Sequence, residues 1–298
     1  MIEDMDIKTP LATSSKIQKM PAFGGLLKHW RHIRSVSQLE LAAQAETSQR
    51  YISFLESGRS HPSRDMIIRL SDTLDIPLRE RNSLFTAAGF APIYSEGHLD
   101  GPELSAVGDG LELLLSYSEP NATIVVDRYW NLVMVNRATV NLFNEFVDLD
   151  AVWNEMSGDD DKNILRLLFH PNGLRAFIPN WETVAYQTLS RARREHMNRG
   201  GDPKAEMILK EIMEYEGFPK GWITPDWNDA PPHPVATLEL EKEGLKLAFH
   251  SMISTFGTPQ DVTLQELRVE TFFPSNQETT NYMSCLSTRS NGNAVEEC

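Results

Sequence analysis

The segment "SQLELAAQAETSQRYISFLESG", residues 37–58, contains two short helical patterns separated by a tight turn. Ser37 is followed three residues later by Glu40, which is the spacing of a capping box at the start of a helix. Ser48 is an N-cap signal for the second helix, and Gly58 is a C-cap signal that ends it. Two short helices joined in this way predict a helix-turn-helix unit, whose second helix enters a DNA groove.

Three more helical patterns surround this segment. Residues 25–34 carry apolar side chains at helical spacing. A fourth helix is predicted after Pro62 with Ser63 as its cap, and a fifth ends at Gly89. Together they predict a five-helix domain over residues 21–91, preceded by a disordered arm over residues 1–20 that lacks periodicity.

The motifs of this domain resemble those of the Xre/Cro-type helix-turn-helix regulators. The similarity rests on S-Q-x-E-L-A at 37–42, S-x-x-x-I-S-x-x-E-x-G at 48–58 and "PS" at 62–63. It implies a five-helix, lambda-repressor-like fold. Glu46 departs from the family, which usually has Gly at this turn, and a non-Gly residue at positive φ costs about 1 kcal/mol.

The resemblance also implies which side chains meet DNA. Gln49 can contact adenine and Arg50 can contact guanine, each through two hydrogen bonds. Gln38 is expected to brace Gln49 and to touch phosphate, and Arg31 is expected to pair with Glu56 inside the domain. For each polar side chain the alternative is a solvated helix face. The predicted DNA-binding set is Gln38, Ser48, Gln49, Arg50, Ser53, Phe54, Arg59 and Arg64.

Charge is distributed unevenly along the chain. The net charge is −14 at pH 7, yet residues 20–90 hold nine Lys or Arg and seven Asp or Glu. That segment is therefore +2, which leaves −16 for the remainder. Only the first segment is electrostatically suited to DNA phosphates, so the remainder is predicted to be a sensor or dimerisation domain.

Residues 92–103 are rich in Pro, Gly and acidic side chains and are predicted to form a linker. Beyond them, residues 122–136 contain two strand patterns, helical patterns follow, and the last part alternates as β-strands. A change of apolar parity near Gln265 predicts a β-bulge. Strands, helices and a closing antiparallel run favour a PAS-like α+β domain over residues 104–278, followed by a flexible tail over residues 279–298.

The phrases "RLLFHPNGLR", "NWE" and "FGTPQDVTLQELRVETFFP" resemble the MmyB-like branch of Xre regulators. This resemblance implies a PAS-like ligand-binding domain with an apolar cavity suited to a fatty-acid-like ligand. The aromatic and aliphatic candidates are either pocket lining or ordinary core, and His170 is either structural or a polar anchor. The predicted ligand-binding set is Phe169, His170, Arg175, Phe177, Asn180, Trp181, Phe249, Met252 and Phe256.

The sequence shows no catalytic, metal or cofactor motif, and no run of about 18 apolar residues that could span a membrane. Its two cysteines have neither disulfide-framework nor zinc spacing, which favours a reduced, cytoplasmic setting. The run Arg191, Arg193, Arg194 is either a solvated face or an anchor for a ligand carboxylate or for the partner domain. The sequence thus predicts a homodimeric regulator of double-stranded operator DNA that senses a small apolar ligand. The alternatives are a C-terminal domain that only dimerises or binds a partner, an enzyme fused to a DNA-binding head, and a peptide-responsive helical repeat.

Overall fold

The computed structural model describes residues 22–157, 162–218 and 237–289. The predicted arm over residues 1–20, the acidic run Asp159, Asp160, Asp161 and the loop that Pro and Asp residues predict over residues 224–234 lie outside these ranges. So do residues 290–298 of the predicted tail.

The N-terminal domain consists of five helices. Ser37 and Glu40 form the predicted capping box, in which the Glu40 amide donates to Ser37 Oγ at 3.1 Å and the Ser37 amide donates to Glu40 at 2.7 Å. Ser48 and Ser63 cap the next two helices through their hydroxyl oxygens. The helices are α1 (Phe23–Ile33), α2 (Gln38–Gln44), α3 (Gln49–Glu56), α4 (Arg64–Thr73) and α5 (Leu78–Ala87).

The turn between α2 and α3 has the left-handed backbone that the resemblance to the Xre/Cro family suggested. Glu46 lies there with φ of 50°, at the position where the Xre/Cro family usually has glycine. A second tight point is the crossing of α1 and α3, where a Cβ added to Gly24 would lie 2.5 Å from the carbonyl oxygens of Leu55 and Glu56. Gly24 therefore allows the two helices to pack at backbone contact.

The segment that connects the domains is hydrogen-bonded along its length. The Asn82 carboxamide in α5 accepts from the amides of Ile93 and Tyr94, both at 3.1 Å. Further on, the Gly97 amide donates to the Asp261 carboxylate at 2.9 Å. Residues 93–97 thus bond to the N-terminal domain on one side and to the C-terminal domain on the other.

The C-terminal domain is an α+β unit built on five antiparallel strands in the order β2-β1-β5-β4-β3. One face of the sheet packs on the main core, which includes side chains of α7 and α13, and the other face carries α6. The strands are β1 (Ala122–Val126), β2 (Leu132–Val135), β3 (Thr237–Lys242), β4 (Leu245–Ser254) and β5 (Arg268–Pro274). The helices are α6 (Ser105–Ser118), α7 (Arg137–Phe146), α8 (Leu149–Ser157), α9 (Ile164–Phe169), α10 (Trp181–Asn198), α11 (Pro203–Glu214), α12 (Val262–Glu266) and α13 (Gln277–Arg289).

The predicted β-bulge near Gln265 is wrong. The residues before β5 form the short helix α12, which Asp261 caps by accepting from the Thr263 amide at 2.8 Å and the Leu264 amide at 3.3 Å. A helical turn followed by a strand changes the apolar parity just as a bulge does, so alternation alone did not distinguish the two.

The flexible tail predicted from residue 279 is also wrong as far as residue 289. Residues 277–289 form α13, in which Met283 and Leu286 are 1% and 5% exposed against the main core. Few apolar side chains are enough for this helix because they all lie on its buried face.

Cys285 is disulfide-bonded, whereas the sequence predicted reduced cysteines; Cys298 lies outside the described residues.

Candidate functional site

Two of the predicted DNA-contacting side chains, Gln49 and Arg50, lie on the solvent side of α3. Gln49 and Arg50 in its first turn are exposed, whereas Ile52 and Leu55 are at most 1% exposed in the core beneath. Ser48 starts the helix by accepting a backbone hydrogen bond at 3.1 Å. The first turn therefore presents a carboxamide and a guanidinium, the groups that contact adenine and guanine edges.

Phe54 lies between two arginines of this surface. The guanidinium carbon of Arg50 is 5.2 Å from the centre of the Phe54 ring, and that of Arg59 is 5.9 Å away. Ser53 and Phe54 are half-buried, and Arg59 is exposed. Exposed cation–π contacts are worth about 0.5–1 kcal/mol, so the ring restrains both cations beside the exposed face of α3. Arg64 is exposed as well and lies 5.3 Å from the Phe90 ring.

The predicted pair of Arg31 and Glu56 is present and enclosed. Arg31 donates through Nε and Nη2 to the two oxygens of Glu56 at 2.6 and 3.1 Å, with the side chains 10% and 5% exposed. Burial by itself would raise the pKa of Glu56, but hydrogen bonds from Arg31 and Gln38 outweigh it and hold that pKa below 4.5. The pair ties α1 to α3 and so fixes the helix that carries the predicted DNA-contacting residues Gln49 and Arg50.

Gln38 occupies a different place from the predicted one. Its carboxamide donates to Glu56 at 2.7 Å, instead of bracing Gln49. The physical reason is that a buried carboxylate is a stronger acceptor than a neutral carboxamide. Gln38 is therefore the third member of the pair's hydrogen-bond network.

The predicted ligand-lining residues are divided among three regions. Phe169 and Trp181 meet edge to face at 5.1 Å between their ring centres, in a cluster with α10 and α11. Phe249, which is 0% exposed, and Phe177 belong to the main core under the sheet. Met252 is 64% exposed, and Phe256 packs on the opposite face of the sheet with α6. The prediction of one shared space is therefore wrong for Met252 and Phe256, because strand alternation sends Phe249 and Met252 to opposite faces. Trp181 also packs against the main core, so the other four aromatic side chains are contiguous.

The three predicted polar anchors bond to the chain's own backbone. Arg175 donates to the carbonyl oxygens of Glu216 and Gly217, both at 2.7 Å. Asn180 donates to the Thr237 carbonyl at 2.7 Å, and His170 Nδ1 accepts from a backbone amide at 3.2 Å. Their spacing along the chain gave no sign of these contacts. Arg175 and Asn180 thus hold the chain's own backbone, whereas His170, whose Nδ1 accepts, keeps Nε2 as a donor. Their role as ligand anchors stays a prediction.

An apolar groove lies on the outer face of the sheet beside α6. Its volume is about 400 Å³, and its lining includes Leu111, Leu114 and Phe256. Leu113 and Tyr117 of α6 and Met252 of β4 are exposed as well. Of the residues that line this groove, Phe256 belongs to the ligand-binding set predicted from the sequence.

The two domains meet at a cluster of charged side chains that no sequence motif indicates. Arg79 of α5 donates to both oxygens of Glu266 in α12, at 2.8 and 2.9 Å, and also contacts Glu96. Arg128, whose side chain is 4% exposed, bonds Glu266 at 2.7 Å and pairs with Asp202 at 2.9 Å. The cluster therefore joins α5 to α12, to the β1–β2 turn and to the start of α11.

Glu80 lies at the edge of the same cluster, 3.8 Å from Arg128. Burial raises the pKa of Glu80 above 4.5, although the positive charge of Arg128 lowers it in part. Beside it, the Leu78 amide at the start of α5 donates to the Gln265 carboxamide at 2.7 Å. The N-terminus of α5 is thus capped by a side chain from the other domain.

Comparisons with known proteins agree with this division of the chain. Residues 27–81 match a helix-turn-helix family, and residues 107–286 match the MmyB-like transcription regulator ligand binding domain. The second match spans more than half of the chain. The chain belongs to the MmyB-like transcription regulator family. As an MmyB-like regulator it joins a helix-turn-helix DNA-binding domain to a domain for a small-molecule ligand, and both matched families are regulatory.

Other comparisons add little to the MmyB-like assignment. No curated protein matches the chain. An RNA-binding light-oxygen-voltage receptor of known structure is 11% identical, with a TM-score of 0.28, over 91% of this chain and 64% of the receptor. The chain thus spans just under two thirds of the receptor's length, and a similarity this low supports no argument. Within the described ranges, no helix has the length and apolar character of a membrane span, and no three His, Cys, Asp or Glu residues group as metal ligands.

Proposed function

We propose that this MmyB-like regulator binds operator DNA as a homodimer and changes its DNA affinity when its C-terminal domain binds a fatty-acid-like ligand in the cytoplasm. The observation that carries the proposal is the pair of family matches on one chain, with the exposed first turn of α3 on one domain. Two copies would contact two half-sites about 34 Å apart or a multiple of it.

An acyl ligand suits the aromatic cluster around Trp181. Phe169 contacts Trp181 edge to face and stacks on Phe218 at 6.2 Å. Trp181 Nε1 is buried and has no hydrogen-bond partner among the described residues. Each buried CH₂ of an acyl chain contributes about 0.8 kcal/mol, and the free indole N–H is a donor for a carboxylate. The strand order 2-1-5-4-3 supports a PAS-like description of the domain.

Binding at this cluster would require a change of shape. Phe169 is 1% exposed, so its ring already fills the space that a ligand would occupy. Uptake of an acyl chain would separate α10 from α9 and produce a second conformation. A ligand alters DNA affinity only when two conformations differ in their affinity for it, and this separation supplies such a difference.

The test is a panel of medium- and long-chain fatty acids, with tetradecanoate as the reference. We expect tetradecanoate to raise the melting temperature and to shift the affinity for a DNA site selected by the wild-type protein. Trp181→Ala should lose both effects. Leu114→Gln in the outer groove is the matched control and should keep both. If no acid changes either quantity, the ligand class is refuted; if Leu114→Gln alone loses the response, the ligand binds in the outer groove.

A second candidate function is a C-terminal domain that only dimerises, which the exposed apolar side chains favour. Leu113, Tyr117 and Met252 are 51%, 78% and 64% exposed on the outer side of the domain. Such side chains mark a protein–protein contact when they are contiguous. Sedimentation of Leu113→Glu as a monomer, together with no response to any fatty acid, would establish this candidate over the sensor.

A further inference from the structure

The helix α10 extends from the proposed ligand region to the DNA-binding domain. It begins at Trp181, which contacts Phe169, and its C-terminal end leads directly into Gly200. Its 18 residues span about 27 Å at 1.5 Å per residue. One helix thus connects the proposed ligand region at Trp181 with Gly200, which contacts the DNA-binding domain.

Gly200 rests against α1 of the DNA-binding domain. Its carbonyl oxygen accepts a hydrogen bond from His29 Nε2 at 2.9 Å. A Cβ added to Gly200 would lie 2.9 Å from the Trp30 ring, so this glycine is in direct contact with a side chain that is 2% exposed in the domain core. Any displacement of Gly200 toward α1 would therefore displace the core behind α3.

The next residues contact α5 through a chain of charges. Asp202 caps α11 by accepting from the Lys204 amide at 2.8 Å, and it accepts from the Tyr129 hydroxyl at 2.8 Å. Asp202 also pairs with Arg128, which bonds Glu266. Glu266 in turn receives two hydrogen bonds from Arg79 of α5. Residues 200–202 therefore reach the DNA-binding domain at α1 directly and at α5 through Arg128 and Glu266.

We propose that the α10–α11 turn at residues 200–202 transmits the ligand state of the C-terminal domain to the DNA-binding domain. Movement of α10 shifts Gly200 against Trp30 and draws Asp202 away from Arg128. As a result, α1 and α5 change their orientation relative to the C-terminal domain together. Both contacts lie away from the exposed side of α3, so the turn acts on the orientation of the domain and does not cover its DNA surface. The source of the signal rests on the proposed function.

Two adjacent glycines provide a test that needs no ligand. Gly200 and Gly201 have φ of +87° and +82°, so alanine at either position carries the same backbone strain, but a Cβ on Gly201 meets nothing within 4 Å. In the full chain we expect Gly200→Ala to speed hydrogen exchange of α1 amides by about tenfold, and Gly201→Ala to leave them unchanged. Equal exchange in the two variants would overturn the contact as a coupling point.

A pair of arginines tests the transmission itself. Arg79 bonds both oxygens of Glu266 across the domain boundary, and Arg166 bonds both oxygens of Glu211 within the C-terminal domain, at 2.9 and 2.8 Å. Arg79→Gln should keep the rise in melting temperature with tetradecanoate but lose most of the ligand-induced change in DNA affinity. Arg166→Gln is the control and should keep both.

The outcomes separate this inference from the ligand class. A wild-type response to tetradecanoate in Arg79→Gln would overturn transmission through the charged cluster. If tetradecanoate has no effect on the wild-type protein, the proposed ligand class fails, and the exchange comparison of Gly200→Ala with Gly201→Ala alone decides the inference.

Discussion

Replacing Arg31 by methionine should leave the buried Glu56 carboxylate of the DNA-binding domain without its ion-pair partner. Arg31→Met keeps the aliphatic volume of the side chain and removes two hydrogen bonds to Glu56 and one to the Val36 carbonyl at 2.9 Å. Glu56 is then left with the 2.7 Å bond from Gln38. Each hydrogen bond to a charged group contributes about 1.5–3 kcal/mol, and breaking a buried ion pair costs about 3–5 kcal/mol. We expect Arg31→Met to lower the free energy of unfolding by about 3–5 kcal/mol.

The assay is denaturant unfolding of the full chain, followed by hydrogen exchange of α3 amides, so that the signal comes from the DNA-binding domain. Arg69→Met is the control, because Arg69 is 47% exposed and lies 4.0 Å from Glu46, so its loss should cost less than about 1 kcal/mol. Because the pKa of Glu56 is lowered in the folded state, its charge stabilises the fold above pH 4.5. This stabilisation is lost as the pH falls through the lowered pKa of Glu56. A loss in Arg31→Met no larger than in Arg69→Met would refute the buried-pair argument.

Three further predictions follow from the same structure. Gln49→Ala and Arg50→Ala should each lose about 1–3 kcal/mol of affinity for the selected site and little for random DNA; equal losses in a binding titration would make them phosphate contacts. Gly24→Ala should destabilise the α1–α3 crossing, because its Cβ would lie 2.5 Å from two α3 carbonyls, whereas Gly25→Ala meets nothing within 4 Å and should be neutral or stabilising by up to about 1 kcal/mol in thermal melts. Burial raises the pKa of Glu80 above 4.5, so its charge costs stability as pH rises through the raised value. Glu80→Gln should therefore melt at or above the wild-type temperature at pH 7, and a difference that does not shrink toward pH 4 would contradict this.

The DNA-binding domain was largely predictable because its signals are local. Ser37 and Glu40 are three residues apart, and the capping box they predict is confirmed. The partnership of Arg31 with Glu56 came from the family resemblance and is also confirmed. The bracing of Gln49 by Gln38 was predicted wrongly because a single carboxamide has several acceptors within reach, and only the fold decides among them. The contact of Gln38 with phosphate stays a prediction.

The C-terminal domain was less predictable because its key contacts are distant in sequence. Arg79 and Glu266 are 187 residues apart, and no periodicity connects them. Arg191 belongs to a run of arginines that was interpreted as either a solvated face or an anchor. In the structure it pairs with Glu270 at 2.8 Å and lies 4.1 Å from the Trp130 ring, so it is an internal residue of its own domain. Composition does not distinguish such a half-buried, paired cation from a solvated one.

The most direct test of the account is selection of binding sites from random DNA by the full-length protein, with and without tetradecanoate, in parallel with Gln49→Ala. We predict that the wild-type protein enriches a two-part motif whose half-sites are separated by about 10 base pairs or a multiple. We also predict that Gln49→Ala relaxes one position in each half, and that tetradecanoate changes the fraction bound. Enrichment of no motif by the wild-type protein, or of the same motif by Gln49→Ala, would contradict the claim that α3 reads DNA sequence.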